Sequence, residues 1–153
     1  MSLRKTNVSR YEIKDAKGRP GVHTLGLGSG DALQIVRRVR AGISFRHVVR
    51  FEKVSGLSRE TIARFAAIPQ RTLTRRQSEG KLQPGESDRM LRASRIFDLA
   101  VDLFEGDVAA VRQWLQTPQA GLRGEVPLEF ASTEVGAREV EKLIGRLEHG
   151  VVA

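Results

Sequence analysis

Apolar residues recur three and four positions apart in several separate runs along this chain, and nowhere do they alternate strictly with polar ones over a full strand. That period predicts an all-α fold, and each run is bounded by residues that start or stop a helix. Asp31 is placed to cap a helix reaching about Ala41, with Leu33, Ile35, Val36 and Val39 as its apolar positions and Gly42 as its end. Ser44 is placed to cap the next, where Phe45, Val48, Val49 and Val54 supply the buried side before Gly56. Ser58 caps a third, and Leu57 before it can meet Ile62 as a hydrophobic staple. Ile62, Phe65 and Ala66 then share one face while Arg59, Glu60 and Arg64 fall away from it. Pro69 marks a break and restart; Leu73 is the inward residue of the helix that follows, and Gly80 stops it.

Beyond a turn at 81–87, a long helix is expected over about 87–105. Met90, Leu91, Ile96, Phe97, Ala100, Val101, Leu103 and Phe104 cover enough of its surface for burial between two neighbours, and Arg89, Arg92 and Arg95 line its earlier outer face, either within reach of phosphates or as solubilising charges. Gly106 and Asp107 restart the chain as a helix to about Leu115, with Trp114, the only tryptophan, in the core. Residues 117–128 form a connection punctuated by Pro and Gly. Thr133 caps the last helix, whose apolar positions are Val135, Val140, Leu143, Ile144 and Leu147; Gly150 ends it and leaves Val151, Val152 and Ala153 as a short apolar tail. Residues 1–30 show no sustained period and read as a flexible arm with a short extended piece at 22–25. Gly26, Gly28 and Gly30 suggest a phosphate loop only superficially: the third glycine of the dinucleotide fingerprint is absent, Asp31 standing there, and no βαβ unit follows.

Composition narrows the function. A length of 153 residues with 40% hydrophobic side chains supports one ordinary domain or two small ones with a shared core. The absence of cysteine excludes disulfides and thiol catalysis. His23, His47 and His149 are the only histidines and no two sit at ligand spacing, so neither a metal nor a cofactor is expected. Neither a leader-like apolar stretch near the start nor a run long enough to span a bilayer is present, and a cytoplasmic location is expected. The net charge of +8 is unevenly spread. Residues 37–95 carry 15 Lys and Arg against 5 Asp and Glu, whereas residues 96–153 carry 5 against 10. A positive half joined to an acidic half implies two partners, with attraction to a polyanion confined to the first.

The basic half contains the hairpin from Leu57 to Gly80, two short helices joined by a tight turn. Its second helix presents Gln70, Arg71, Thr72, Thr74, Arg75 and Arg76, which is the chemistry of a recognition helix: Arg bridges guanine O6 and N7, Gln pairs with adenine, and Thr and Arg grip phosphates. The plainer reading is a solvated basic helix in a bundle, and the surrounding charge block favours DNA. An enzyme is the rival of another class. Ser87, Asp88 and His149 make a triad on paper, but no nucleophile elbow or oxyanion-hole loop accompanies them, and no catalytic residue is assigned.

The second half carries a recognisable set of landmarks. Trp114, Leu115, Pro118, Leu122, Gly124, Pro127, Leu128, Thr133, Gly136, Ala137, Val140, Leu143, Arg146, Glu148 and Gly150 resemble the C-terminal domain of Xre/MbcA/ParS-type antitoxins. The hairpin, with Arg75, Arg76, Gly80, Leu82 and the run 86–89, resembles that family's Xre-like helix-turn-helix. The resemblance covers about 31–153 and implies, after the arm at 1–30, a helix-turn-helix domain for DNA binding and dimerisation at 31–105 and a toxin-binding domain at 106–153. It further implies neutralisation of a RES-domain toxin that consumes NAD, and repression of the protein's own operon by a homodimer on operator DNA. Because such a toxin, by family analogy, needs positive groups for the pyrophosphate of NAD, the apolar and anionic end of the acidic half, Arg146, Leu147, Glu148, Val151, Val152 and Ala153, is expected to occlude the toxin's active-site entrance; the plainer reading is that Leu147 completes the protein's own core and the tail is frayed. The alternative is a stand-alone dimeric repressor whose C-terminal domain dimerises or senses a small molecule.

Overall fold

The computed structural model describes residues 22–27 and 31–150. All the regular structure among them is helical apart from one isolated antiparallel bridge between Ser44 and Lys81. In chain order the helices are α1 (Val22–Leu25), α2 (Ala32–Ala41), α3 (Arg46–Ser55), α4 (Arg59–Phe65), α5 (Gln70–Glu79), α6 (Pro84–Leu103), α7 (Val108–Leu115), α8 (Pro127–Phe130) and α9 (Glu134–Glu148), with a 3-10 turn at Ala120–Leu122 before α8. None of them is long and apolar enough to cross a membrane.

Four helix starts read from the sequence are made by the expected side chains. Asp31 accepts from the Gln34 N–H at 3.0 Å, Ser58 from Thr61 at 3.1 Å, Asp107 from Ala110 at 3.1 Å and Thr133 from Gly136 at 3.0 Å. Each satisfies a first-turn donor that has no partner within the helix. Ser44 serves more weakly than expected: Phe45 takes the capping position of α3 and has no side-chain cap bond, while the Ser44 hydroxyl accepts the Arg46 N–H at 3.4 Å and the backbone of Ser44 joins the strand-like bridge. Leu82 donates to the Ile43 carbonyl and Phe45 to that of Gly80, both at 2.9 Å. The long helix starts at Pro84, three residues earlier than the periodicity indicated. Gln83 and Glu86 form a reciprocal capping box, and Pro84 takes the first-turn position where its missing N–H costs nothing.

α6 is the central element, packed on by α1, α2, α3, α7 and α9. A single hydrophobic cluster runs from Leu25 to Ile144, with Phe51, Phe65 and Phe97 fully buried and the Phe51 and Phe97 rings edge to face at 5.9 Å. The boundary at 105/106 is therefore a turn in the chain, built on Glu105 (φ 53°) and Gly106 (φ 88°), and the core continues across it.

Three expectations need correction. The piece at 22–25 is a turn of helix, not an extended strand, and part of the supposed arm belongs to the core: Thr24, Leu25 and Leu27 are buried. Polar bonds hold it there, with the Thr24 hydroxyl donating to Asp98, the His47 Nδ1–H to the Leu25 carbonyl and Arg38 to the Leu27 carbonyl. α2 forms as expected but buries none of its residues, leaving Leu33 and Val36 exposed. Val135, expected to face inward, is also exposed, because Gly136 and Ala137 take the inner face of α9. A Cβ on Gly136 would lie 1.7 Å from the Phe130 carbonyl oxygen, so only glycine lets α9 approach α8 this closely.

Candidate DNA-binding and partner-binding surfaces

The helical hairpin is closed by a turn at 66–69. Ile68 donates to the Ala63 carbonyl at 2.9 Å, Ala67 takes the left-handed conformation (φ 52°), and Pro69 starts α5. Leu73 is fully buried and fixes the roll of α5, which sorts the other side chains around it. Gln70, Arg71, Thr74 and Arg75 lie exposed, and Thr72 is half-buried. Among the described residues Arg75 pairs with Glu79 at 3.8 Å, a loose contact for an exposed pair.

Arg76, the sixth residue read as a DNA contact, is differently placed. Its guanidinium holds the Glu86 carboxylate by two parallel bonds, Nε to Oε1 at 2.7 Å and Nη2 to Oε2 at 2.9 Å, and its Nη1 bonds Glu79 at 2.9 Å. Glu86 Oε1 also accepts the Gln83 N–H at 2.8 Å. The hydrogen bonds from Arg76, aided by the Gln83 N–H, hold the Glu86 carboxyl below the usual carboxylate range against the opposing effect of burial, and Arg76 is correspondingly raised. With its donors so engaged, Arg76 braces the end of α5 against the start of α6. Arg59 does the same on the hairpin's other side. It bonds Glu52 at 2.6 and 3.0 Å, lies 5.1 Å over the Phe45 ring and reaches Gln77 of α5.

The arginines of α6 are not a phosphate-facing row. Arg89 donates to the Ala66 carbonyl at 3.2 Å, Arg92 is buried with Nη2 on the Ser132 carbonyl at 2.8 Å, and Arg95 bonds Glu141 at 2.8 Å. Each of these cations is engaged by a neighbouring element, and together they tie α6 to the hairpin and to the segment from Ser132 into α9. Arg64 adds a further link across the halves, pairing with Glu129 of α8 at 3.0 Å. Sequence reading missed these roles. Only the placing of Glu86, the partner of Arg76, had a legible signal, the Gln83-Pro84-Gly85-Glu86 spacing of a capping box with proline after the cap.

In the acidic half, Trp114 is half-buried against Phe104, the ring centroids 6.2 Å apart. Gln119 organises the 117–125 turn, donating to the Trp114 and Thr117 carbonyls at 3.1 and 3.0 Å. At the end of α9 Arg146 is half-buried, Glu148 is exposed, and Leu147 packs against the protein's own core. Val151, Val152 and Ala153 lie outside the described residues. Ser87, offered above as a nucleophile, is fully buried; its hydroxyl accepts from the Ile43 N–H and donates to the Gln83 carbonyl, both at 2.9 Å.

A hairpin with a locked inner face and an exposed Gln, Thr and Arg surface, joined to a second helical module through a shared core, defines a helix-turn-helix protein with an appended helical unit. Residues 34–95 match the antitoxin Xre-like helix-turn-helix domain, and residues 99–150 match the antitoxin Xre/MbcA/ParS C-terminal toxin-binding domain. Similar proteins include the antitoxin Xre of Yersinia enterocolitica, 39% identical over 128 residues that span 83% of this chain and 86% of that one. The antitoxin Xre of Photorhabdus laumondii is 36% identical over 138 residues (90% and 93%), and that of Pseudomonas putida 27% over 118 residues (76% and 72%). The chain belongs to the Xre antitoxin family.

Proposed function

We propose that the protein neutralises a RES-domain toxin that consumes NAD and represses its own operon by binding operator DNA as a homodimer. The observation that carries the DNA part is the sorting of α5. Leu73 and Arg76 are used for packing and bracing, while Gln70, Arg71, Thr74 and Arg75 stand clear on one short helix. Thr72, half-buried at the edge of that face, is positioned for a phosphate. Arg76 acts through the helix it holds in place, so its contribution to DNA binding is one of positioning.

The toxin part rests on the family and on the acidic character of the C-terminal half. A site that accepts the pyrophosphate of NAD needs positive groups, and Glu148 offers an anionic counterpart, with the apolar Val151 and Val152 next in sequence. Arg146 and Leu147 are the base of this segment, Leu147 being shared with the protein's own core. The test is to remove Val151, Val152 and Ala153 and substitute Glu148→Ala, then measure NAD loss by the RES protein beside operator binding. Inhibition should fall while operator binding stays. Full inhibition by the folded truncated protein would move neutralisation to another surface, and no association with any RES protein would leave a stand-alone repressor.

A further inference from the structure

We propose that Ser44 and Lys81, opposite each other in the β-bridge, form a clamp for one phosphate of the operator backbone, at the edge of the groove that α5 enters. The clamp deepens the reading of α5 as the DNA-contacting helix and rests on it.

The bridge decides which side chains face out. Phe45 donates to the Gly80 carbonyl and Leu82 to the Ile43 carbonyl, both at 2.9 Å. Ser44 and Lys81 therefore lie between two ladder bonds as a non-hydrogen-bonded antiparallel pair, the arrangement that brings opposed side chains closest and onto one side. Ile43, Phe45 and Leu82 beside them are buried in the core, so by strand alternation Ser44 and Lys81 point away from it. The frame is rigid. A Cβ on Gly42 (φ 84°) would lie 2.2 Å from the Leu82 carbonyl oxygen, and the Ile43 N–H is bonded to the buried Ser87 hydroxyl.

The two side chains are a pair of donors. Lys81 is exposed and has no ion pair or side-chain hydrogen bond among the described residues. The Ser44 hydroxyl accepts the Arg46 N–H at 3.4 Å, which leaves its proton to donate. An ammonium beside a hydroxyl on a fixed backbone suits a phosphate oxygen. The nearest acids in the chain are spent elsewhere: Glu52 on Arg59, Glu79 on Arg75 and Arg76, and Glu86 on Arg76. Glu60 lines a groove with Gln70 at the opposite end of α5, and Asp88 stands exposed on α6. Arg46, exposed two residues beyond Ser44, adds to the positive field.

Placement names the anion. α5 has ten residues and is about 15 Å long at 1.5 Å per residue, against a major groove about 12 Å wide. With Gln70 and Arg71 at its N-terminal end against base edges, its C-terminal end emerges at the rim, where the phosphates run. There Gly80 (φ 88°) turns the chain directly into Lys81. Arg89, Arg92 and Arg95, the cations that the sequence offered to phosphates, are bonded within the protein, and the bridge takes their place.

The clamp is tested by the binding of the full-length protein to a labelled duplex carrying its own promoter, followed by fluorescence anisotropy over a range of KCl concentrations. Lys81→Ala should weaken promoter and unrelated duplexes by the same severalfold factor, lower the salt slope by about one and leave melting unchanged. Lys81→Arg should restore the slope. Ser44→Ala should weaken binding at an unchanged slope, because a hydroxyl releases no counterion. Replacing single phosphates by methylphosphonate should reveal one position whose neutralisation weakens the wild type and leaves Lys81→Ala indifferent. Wild-type affinity and slope in Lys81→Ala, beside weakened binding by Arg71→Ala, would overturn the clamp and keep α5 on DNA. A changed preference at one base pair in Lys81→Ala, at an unchanged slope, would also overturn it, since the lysine would then be reading a base. Should the wild type bind neither duplex, the DNA reading itself fails and the clamp falls with it.

Discussion

Arg76 and Glu86 face each other across the turn that follows α5 and share two parallel hydrogen bonds, at 2.7 and 2.9 Å. Glu86 binds this guanidinium and the Gln83 N–H best when ionised, which is why its carboxyl titrates below the ordinary 4.5. Its stabilisation is fully present above that value and is lost as pH falls through the lower folded value. Glu86→Gln should therefore lower the urea midpoint at neutral pH and flatten its decline at acid pH. An unchanged acid limb would show that the pair contributes nothing to folding.

His47 opens a second, milder pH window. Burial lowers its pKa from 6.5, with Arg46, Arg38 and Arg50 adding to the effect and the bond to the Leu25 carbonyl opposing it. The neutral ring belongs to the folded state, so its contribution is whole above 6.5 and is lost as pH falls toward the folded value. His47→Gln should remove the slope between pH 7 and 5, with hydrogen exchange at Leu25 and Leu27 reporting the loosening locally.

At the DNA surface, Arg71→Ala or Arg75→Ala should cost about 1–3 kcal/mol of operator affinity where a base is read, with relaxed preference at one position. A phosphate contact would instead weaken all sequences and lower the salt slope by about one. Arg76→Ala should reduce thermal stability along with affinity, whereas Arg71→Ala should leave melting unchanged. Wild-type affinity in both Arg71→Ala and Arg75→Ala would take α5 out of the interface.

Gly136→Ala should destabilise the protein by about 3 kcal/mol, the upper part of the usual overpacking range, because the new methyl meets a backbone carbonyl that no rotamer change can move. Gly145→Ala on the same helix meets no atom within 4 Å and should be neutral or slightly stabilising, as an exchange to the better helix former. Equal melting temperatures for the two variants would refute the close approach of α9 to α8.

The sequence disclosed where helices begin because a cap is a local event: Asp31, Ser58, Asp107 and Thr133 each need only a backbone N–H three residues on. The exposed face of α5 was legible for a similar reason, one buried leucine sufficing to orient ten residues. What escaped was set by tertiary neighbours. Arg92 reads as a surface cation until α9 is laid over it, and Thr24 reads as part of a polar arm until Asp98 is brought beside it. Leu33 and Val36 carry a core-facing pattern, yet both lie exposed because Ile35 is the residue of α2 that packs on the core.

That α6 serves both halves bears on how long the protein survives in a cell. Two modules folded around one helix melt together, since neither retains a core once the other opens. A protease that degrades the open form would thus remove the grip on DNA and the grip on the partner at a single rate. Relief of repression and release of the toxin would then run on one clock.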